Sequence, residues 1–112
     1  MRAEQFRRLA AGLPDAVEGT HMGHADFRIG GRVFATLGYP SSDWAMVKLT
    51  PSQQQLLAQA EPGVFEAVKG AWGARGATGV RLSAARTRSV REALVTARNN
   101  AARKPLVKRK KG

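Results

Sequence analysis

The chain has no cysteine, so it can form neither a disulfide nor a thiolate metal site, which fits a reducing compartment. No apolar run approaches the ~18 residues that a membrane span requires. The opening stretch MRAEQFRRLAAGLPDAVEG carries charges inside its apolar pattern, which a secretory signal does not. A soluble cytoplasmic protein is therefore expected. Histidine is scarce, with two residues in a His21-x-x-His24 spacing. A zinc site takes three or four ligands, and the others would have to come from Glu18 or Asp26. Local hydrogen bonding is the simpler role for these histidines, and no metal or cofactor is expected. Asp15, Glu18, Asp26 and Asp43 are scattered, and no serine or lysine sits in a recognisable nucleophile setting. No enzymatic activity is expected.

Acid is the other shortage. There are 8 Asp and Glu against 19 Lys and Arg, a net charge of +11 over 112 residues. The surplus is uneven. The tail RKPLVKRKKG, residues 103–112, holds six basic residues and no acid, leaving thirteen basic against eight acidic before it. The length suits one domain, residues 1–102, and 43% apolar content suits one modest core. The tail has too few apolar residues and too much like charge to fold alone, and reads as basic and disordered.

Phe6, Leu9, Ala10 and Leu13 fall on one helical face, predicting a helix over residues 3–13 that Pro14 ends. Residues 15–25 have no clear period and read as loop, with a strand entered near Met22. Asp26–Ile29 and Arg32–Leu37 read as strands joined by Gly30-Gly31, a two-residue turn that needs positive φ at both positions. The implied register sets Ile29 opposite Arg32, Arg28 opposite Val33 and Phe27 opposite Phe34. Phe27, Ile29 and Phe34 then share one face, and Val33, Ala35 and Leu37 share the other with Arg28. Trp44–Leu49 is a further strand. Thr50, Pro51 and Gln53 form a helix start with a capping box, and that helix is expected to bury Leu56, Leu57 and Ala60. Ala77–Leu82 reads as a strand, with a short one before it around Val68–Trp72. Ser89 and Glu92 open a last helix whose apolar face is Val90, Ala93, Leu94 and Ala97, fraying near Ala101–Arg103. The order is α+β, an antiparallel β-sheet with N- and C-terminal helices packed on one face.

Four segments, FRIGGRVFATLGY, WAMVKLTPSQQ, VKGAWGARGATGVRL and the closing helix, together resemble the MmcQ/YjbR family over about residues 3–102. The resemblance implies a CyaY-like fold, α-β-β-β-α-β-β-α, and DNA binding, the label that family carries. It implies no catalytic motif. The positions matching the family pattern that could touch a ligand are Arg32, Lys48, Lys69, Trp72, Gly73 and Arg75. Iron binding in the frataxin homologues uses an acidic first helix, whereas here Glu4 stands among Arg2, Arg7 and Arg8.

Lysine and arginine neutralise phosphates and release counterions, so this charge balance points to nucleic acid. Three sources of charge combine: the tail residues Lys108, Arg109, Lys110 and Lys111; the Arg86/Arg88/Arg91/Arg98 group at the last helix; and the basic residues of the sheet and glycine region. Lys48, Lys69, Arg75 and Arg91 are the expected phosphate contacts. Trp72 is the expected stacking platform if exposed; in the core it would be structural only. Glycines at 70, 73, 76 and 79 could admit a phosphate, but they do not follow a strand and open a helix as a phosphate-loop fingerprint must, so a hairpin with close backbone approach is the simpler reading. No lipidation site or amphipathic anchor supports a membrane partner. The alternative is a protein-interaction or small anionic-ligand module. An exposed apolar patch around Trp44, Met46 and Val47 would favour it, and a continuous positive surface around Trp72 would favour nucleic acid.

Overall fold

The computed structural model describes the backbone of residues 1–111 and the side chains of residues 1–103. Six antiparallel strands form one sheet in the order β1-β2-β3-β4-β6-β5. They are β1 (Val17–His21), β2 (His24–Ile29), β3 (Arg32–Leu37), β4 (Trp44–Lys48), β5 (Phe65–Ala67) and β6 (Ala77–Arg81). The helices are α1 (Ala3–Ala11), α2 (Pro51–Ala60), α3 (Ala71–Ala74) and α4 (Thr87–Lys111). Phe6 and Ala10 of α1 and Val90, Ala93, Leu94 and Ala97 of α4 pack with Phe27, Phe34 and Val47 in one core. Terminal helices on one sheet face are thus what the sequence predicts. The backbone of α4 stays helical through Lys111, where the sequence reading expects fraying near Ala101–Arg103 and a disordered tail over 103–112. The side chains of the candidate contacts Lys108, Arg109, Lys110 and Lys111 lie outside the described residues.

Several local expectations give way. α1 stops at Ala11 with Gly12 as its C-cap, two residues before Pro14, and the next N–H, of Leu13, bonds back only three residues, to the Ala10 carbonyl at 3.3 Å. Residues 15–25 are mostly strand rather than loop: 17–21 form β1, and 24–25 begin β2 after a two-residue turn. β1 buries no side chain, so no apolar alternation marks it. Its turn, Met22-Gly23, has φ of 53° and 81°, the two positive values of a tight hairpin. The last helix starts at Thr87 rather than Ser89.

The Gly30-Gly31 turn forms as expected, with φ of 55° and 81°. Ile29 pairs with Arg32 and Arg28 with Val33. Phe27, however, pairs with Ala35 and not Phe34, because the register shifts between Phe27 and Arg28. This bulge inserts one residue into β3 and reverses the facing of everything after it. Ala35 and Leu37 join Phe27, Ile29 and Phe34 in the core instead of standing beside Arg28.

α2 begins as expected. The Gln53 N–H donates to Thr50 Oγ1 at 3.2 Å, and the Thr50 N–H donates to Gln53 Oε1 at 2.8 Å. Thr50→Ala should lower stability by about 1 kcal/mol, read as a smaller urea midpoint with an unchanged m-value. Of the predicted buried face of α2, Leu57 packs half-buried against the core, but the other two residues do not. Leu56 is 68% exposed, Ala60 is exposed, and Gln54 is the residue turned inward. A strand over Val68–Trp72 is also absent: β5 lies earlier, and residues 71–74 make the single helical turn α3.

Candidate functional site

The second face of the sheet carries no terminal helix. Along its central strands stand Asp26 and Arg28 of β2, Val33 and Thr36 of β3, and Met46 and Lys48 of β4, and all of these line one cavity. Tyr39, from the loop between β3 and β4, and Trp72 of α3 rise beside it. Their rings meet edge to face at 6.0 Å. Trp72 is 51% exposed, so it is not a core residue. The Lys48 Nζ lies 5.5 Å from the centre of its ring, a cation–π contact.

Two cavities meet at this tryptophan. The smaller, about 580 Å³, includes Arg32, Lys48, Thr50, Trp72, Arg75 and Asn100 in its lining. Among the described residues no acid lines it. The larger, about 710 Å³, lies on the open sheet face, with Val33, Tyr39, Met46 and Trp72 as its apolar walls. Both share Val33, Lys48 and Trp72.

Backbone packing fixes α3 in place. A Cβ on Gly73 would collide with the Val68 carbonyl, and one on Gly76 (φ +116°) with the Leu49 carbonyl. Gln54 ties the same turn to the sheet. Its Nε2 donates to the Gly73 and Ala77 carbonyls at 3.0 Å each and lies 3.2 Å from Thr78 Oγ1. The glycine series thus has a packing explanation. On the α4 side, Asn100 Nδ2 donates to Gln53 Oε1 at 2.8 Å and reaches the Lys48 carbonyl at 3.4 Å.

The larger cavity holds one firm ion pair. Arg28 donates from Nε and Nη2 to the two Asp26 oxygens at 3.0 and 2.9 Å, and Asp26 is 1% exposed. These hydrogen bonds, and then the carboxylate charge, raise the Arg28 pKa above its ordinary value. His21 and His24 face each other across the hairpin at the cavity edge. The other ligands weighed with them are engaged: Glu18 pairs with Arg7, and Asp26 with Arg28. Among the described residues no group of three metal-ligating side chains forms.

A family model described as YjbR matches residues 11–99. The chain belongs to the YjbR family. It matches no curated protein and no solved structure. The matched segment contains Arg32, Lys48, Lys69, Trp72 and Arg75. The YjbR segment brings Arg32, Lys48, Trp72 and Arg75 to the smaller cavity, and Lys48, Lys69 and Trp72 to the larger. Gly73 lies beneath them as a packing position.

Two sequence candidates stay apart from this group. Arg98 donates to the Pro14 carbonyl at 3.1 Å and sits 3.7 Å from Asp15, holding α4 to the loop after α1. Arg91, seven residues earlier on the same helical side, lines neither cavity. The apolar patch that would favour a protein partner is not formed. Met46 and Val47 are buried, and the Arg81 guanidinium stacks on Trp44 at 4.5 Å. Sequence reasoning missed Asn100, Tyr39 and Arg28. Asn100 continues the Ala93–Ala97 helical stripe, a signal that could have found it. Tyr39 lies in a turn without periodicity. Among the described residues no helix is long and apolar enough to cross a membrane.

Proposed function

We propose that this chain is a non-catalytic nucleic-acid-binding module whose folded body contacts phosphates through Arg32, Lys48 and Arg75. The observation that carries the reading is their convergence, from β3, β4 and the residue after α3, on a cavity that no acid lines among the described residues, beside a half-exposed tryptophan. Basic side chains near a concave rim lower the free energy of a phosphate there, and an exposed indole can stack on a base. Lys69 adds charge across Trp72. The basic tail contributes a generic attraction to any polyanion.

The test separates body from tail by salt dependence. In the full-length chain, Arg32→Ala with Arg75→Ala should weaken binding to labelled DNA. It should also reduce the slope of log affinity against log salt by about two units, one per lost contact. Neutralising the tail (Lys108→Ser, Arg109→Ser, Lys110→Ser and Lys111→Ser) should leave measurable binding. If the double arginine variant keeps the wild-type slope, the body reading fails.

A second reading keeps the same cavity for a small anionic ligand. The volumes of both cavities fall in the range of about 300–1,000 Å³ common to small-molecule sites, which favours this possibility specifically. Saturable binding of a mononucleotide without any affinity for oligonucleotides would select it.

A further inference from the structure

Phosphate contact alone does not account for the larger cavity. It adjoins the cationic one, yet its floor and walls include Val33, Tyr39, Met46, Ala71 and Trp72. The partition between them is Val33, Lys48 and Trp72, which line both. A ligand crossing that partition would need a charged group at one end and a flat, largely apolar body at the other. The Arg28 guanidinium, two of whose five N–H donors go to Asp26, supplies polar contact within the larger cavity.

We infer that the two cavities form one site for a nucleotide whose base is unpaired, with its phosphate between Arg32 and Arg75 and its base on the open sheet face against Trp72. The inference rests on the nucleic-acid reading above and makes it specific to single strands. A base inside a duplex has both faces stacked and its pairing edge turned inward, so it cannot enter a concave site without being extruded. A single strand presents its bases without that cost. Every base has a π-face, so an indole accepts each of them.

The experiment compares a short oligothymidylate with a hairpin duplex of equal phosphate number, using the full-length chain at matched salt. The single strand should bind about tenfold or more tightly. Trp72→Ala should remove that preference by weakening single-strand binding about tenfold more than duplex binding, whereas Trp72→Phe, which keeps a ring, should restore most of it. In a Trp44→Phe background Trp72 is the remaining tryptophan, and its fluorescence should be quenched by the oligothymidylate and not by the hairpin. Circular dichroism and the urea midpoint of each variant report folding separately. Equal affinity for both forms, or an equal loss for both in a folded Trp72→Ala, overturns base insertion while the phosphate reading stands. Absence of binding to either form overturns both.

Discussion

Gly73→Ala should unfold the domain or leave it barely stable, a loss of more than about 4 kcal/mol, at the top of what single substitutions do. The cause is the absence of room. The new Cβ would overlap the Val68 carbonyl, which is backbone and cannot swing aside as a side-chain end can. Relief requires α3 to lift off the residues before it. That would also strain the Gln54 bond to the Gly73 carbonyl and move Trp72 and Arg75 on either side. Gly63→Ala is the matched control, since nothing lies within 4 Å of a Cβ there. It should stay within about 1 kcal/mol of the parent chain. Urea unfolding of both variants decides the matter. A Gly73→Ala protein with a near-parental midpoint would show that α3 is not held by this contact.

The second large effect is expected from Gln54→Glu, and it should depend on pH. Gln54 is 9% exposed, and its amide nitrogen lies near three oxygens. The Gly73 and Ala77 carbonyls can only accept hydrogen bonds, so a carboxylate there would be buried against oxygen. Near neutral pH this should destabilise the fold by about 3–5 kcal/mol, the usual scale for an uncompensated buried charge. The sign follows from linkage. Burial raises the folded-state pKa of the new carboxyl above the unfolded value of about 4.3. The native state then keeps a proton that the unfolded state has released. Stability falls as pH rises above about 4, by up to about 1.4 kcal/mol per unit, and levels off once the folded pKa is passed. Gln54→Leu removes the same hydrogen bonds without a titrating group. Each carbonyl keeps one backbone donor, Gly76 N–H for Gly73 and Val68 N–H for Ala77. Its cost should therefore be smaller, about 1–3 kcal/mol, and flat with pH. Parallel pH curves for the two variants would show that Gln54 does not face the carbonyls in solution.

Both effects converge on the segment between β5 and β6, where the sequence was hardest to read. Its four evenly spaced glycines read more simply as a hairpin with close backbone approach than as a phosphate loop, but the pattern alone gives none of them a separate role. They differ in role: Gly70 and Gly76 take positive φ, Gly73 and Gly76 accept close backbone neighbours, and Gly79 lies under the Trp44 ring. Which neighbour each glycine meets depends on chain segments many residues away.

The sequence by itself determined the elements whose signals are local. The Thr50-Pro51-Gln53 start of α2, the Gly30-Gly31 turn and the Val90–Ala97 stripe of α4 each rest on contacts within a few residues, and each forms. It also marked Arg32, Lys48, Lys69, Trp72 and Arg75 as candidates through family resemblance. Only the tertiary structure decided how these pieces face one another. The bulge opposite Phe27 turns Ala35 and Leu37 into the core, although strict alternation places them outside it. Gln54 faces inward, where its amide adds a second donor to the Gly73 and Ala77 carbonyls, while Leu56 points to solvent. Arg98 is taken by the Pro14 carbonyl and Asp15, so a residue that reads as free charge holds a helix in place. Periodicity describes one strand or one helix at a time. The assignment of a face, a partner or a cavity depends on long-range packing and on which buried polar groups must be satisfied.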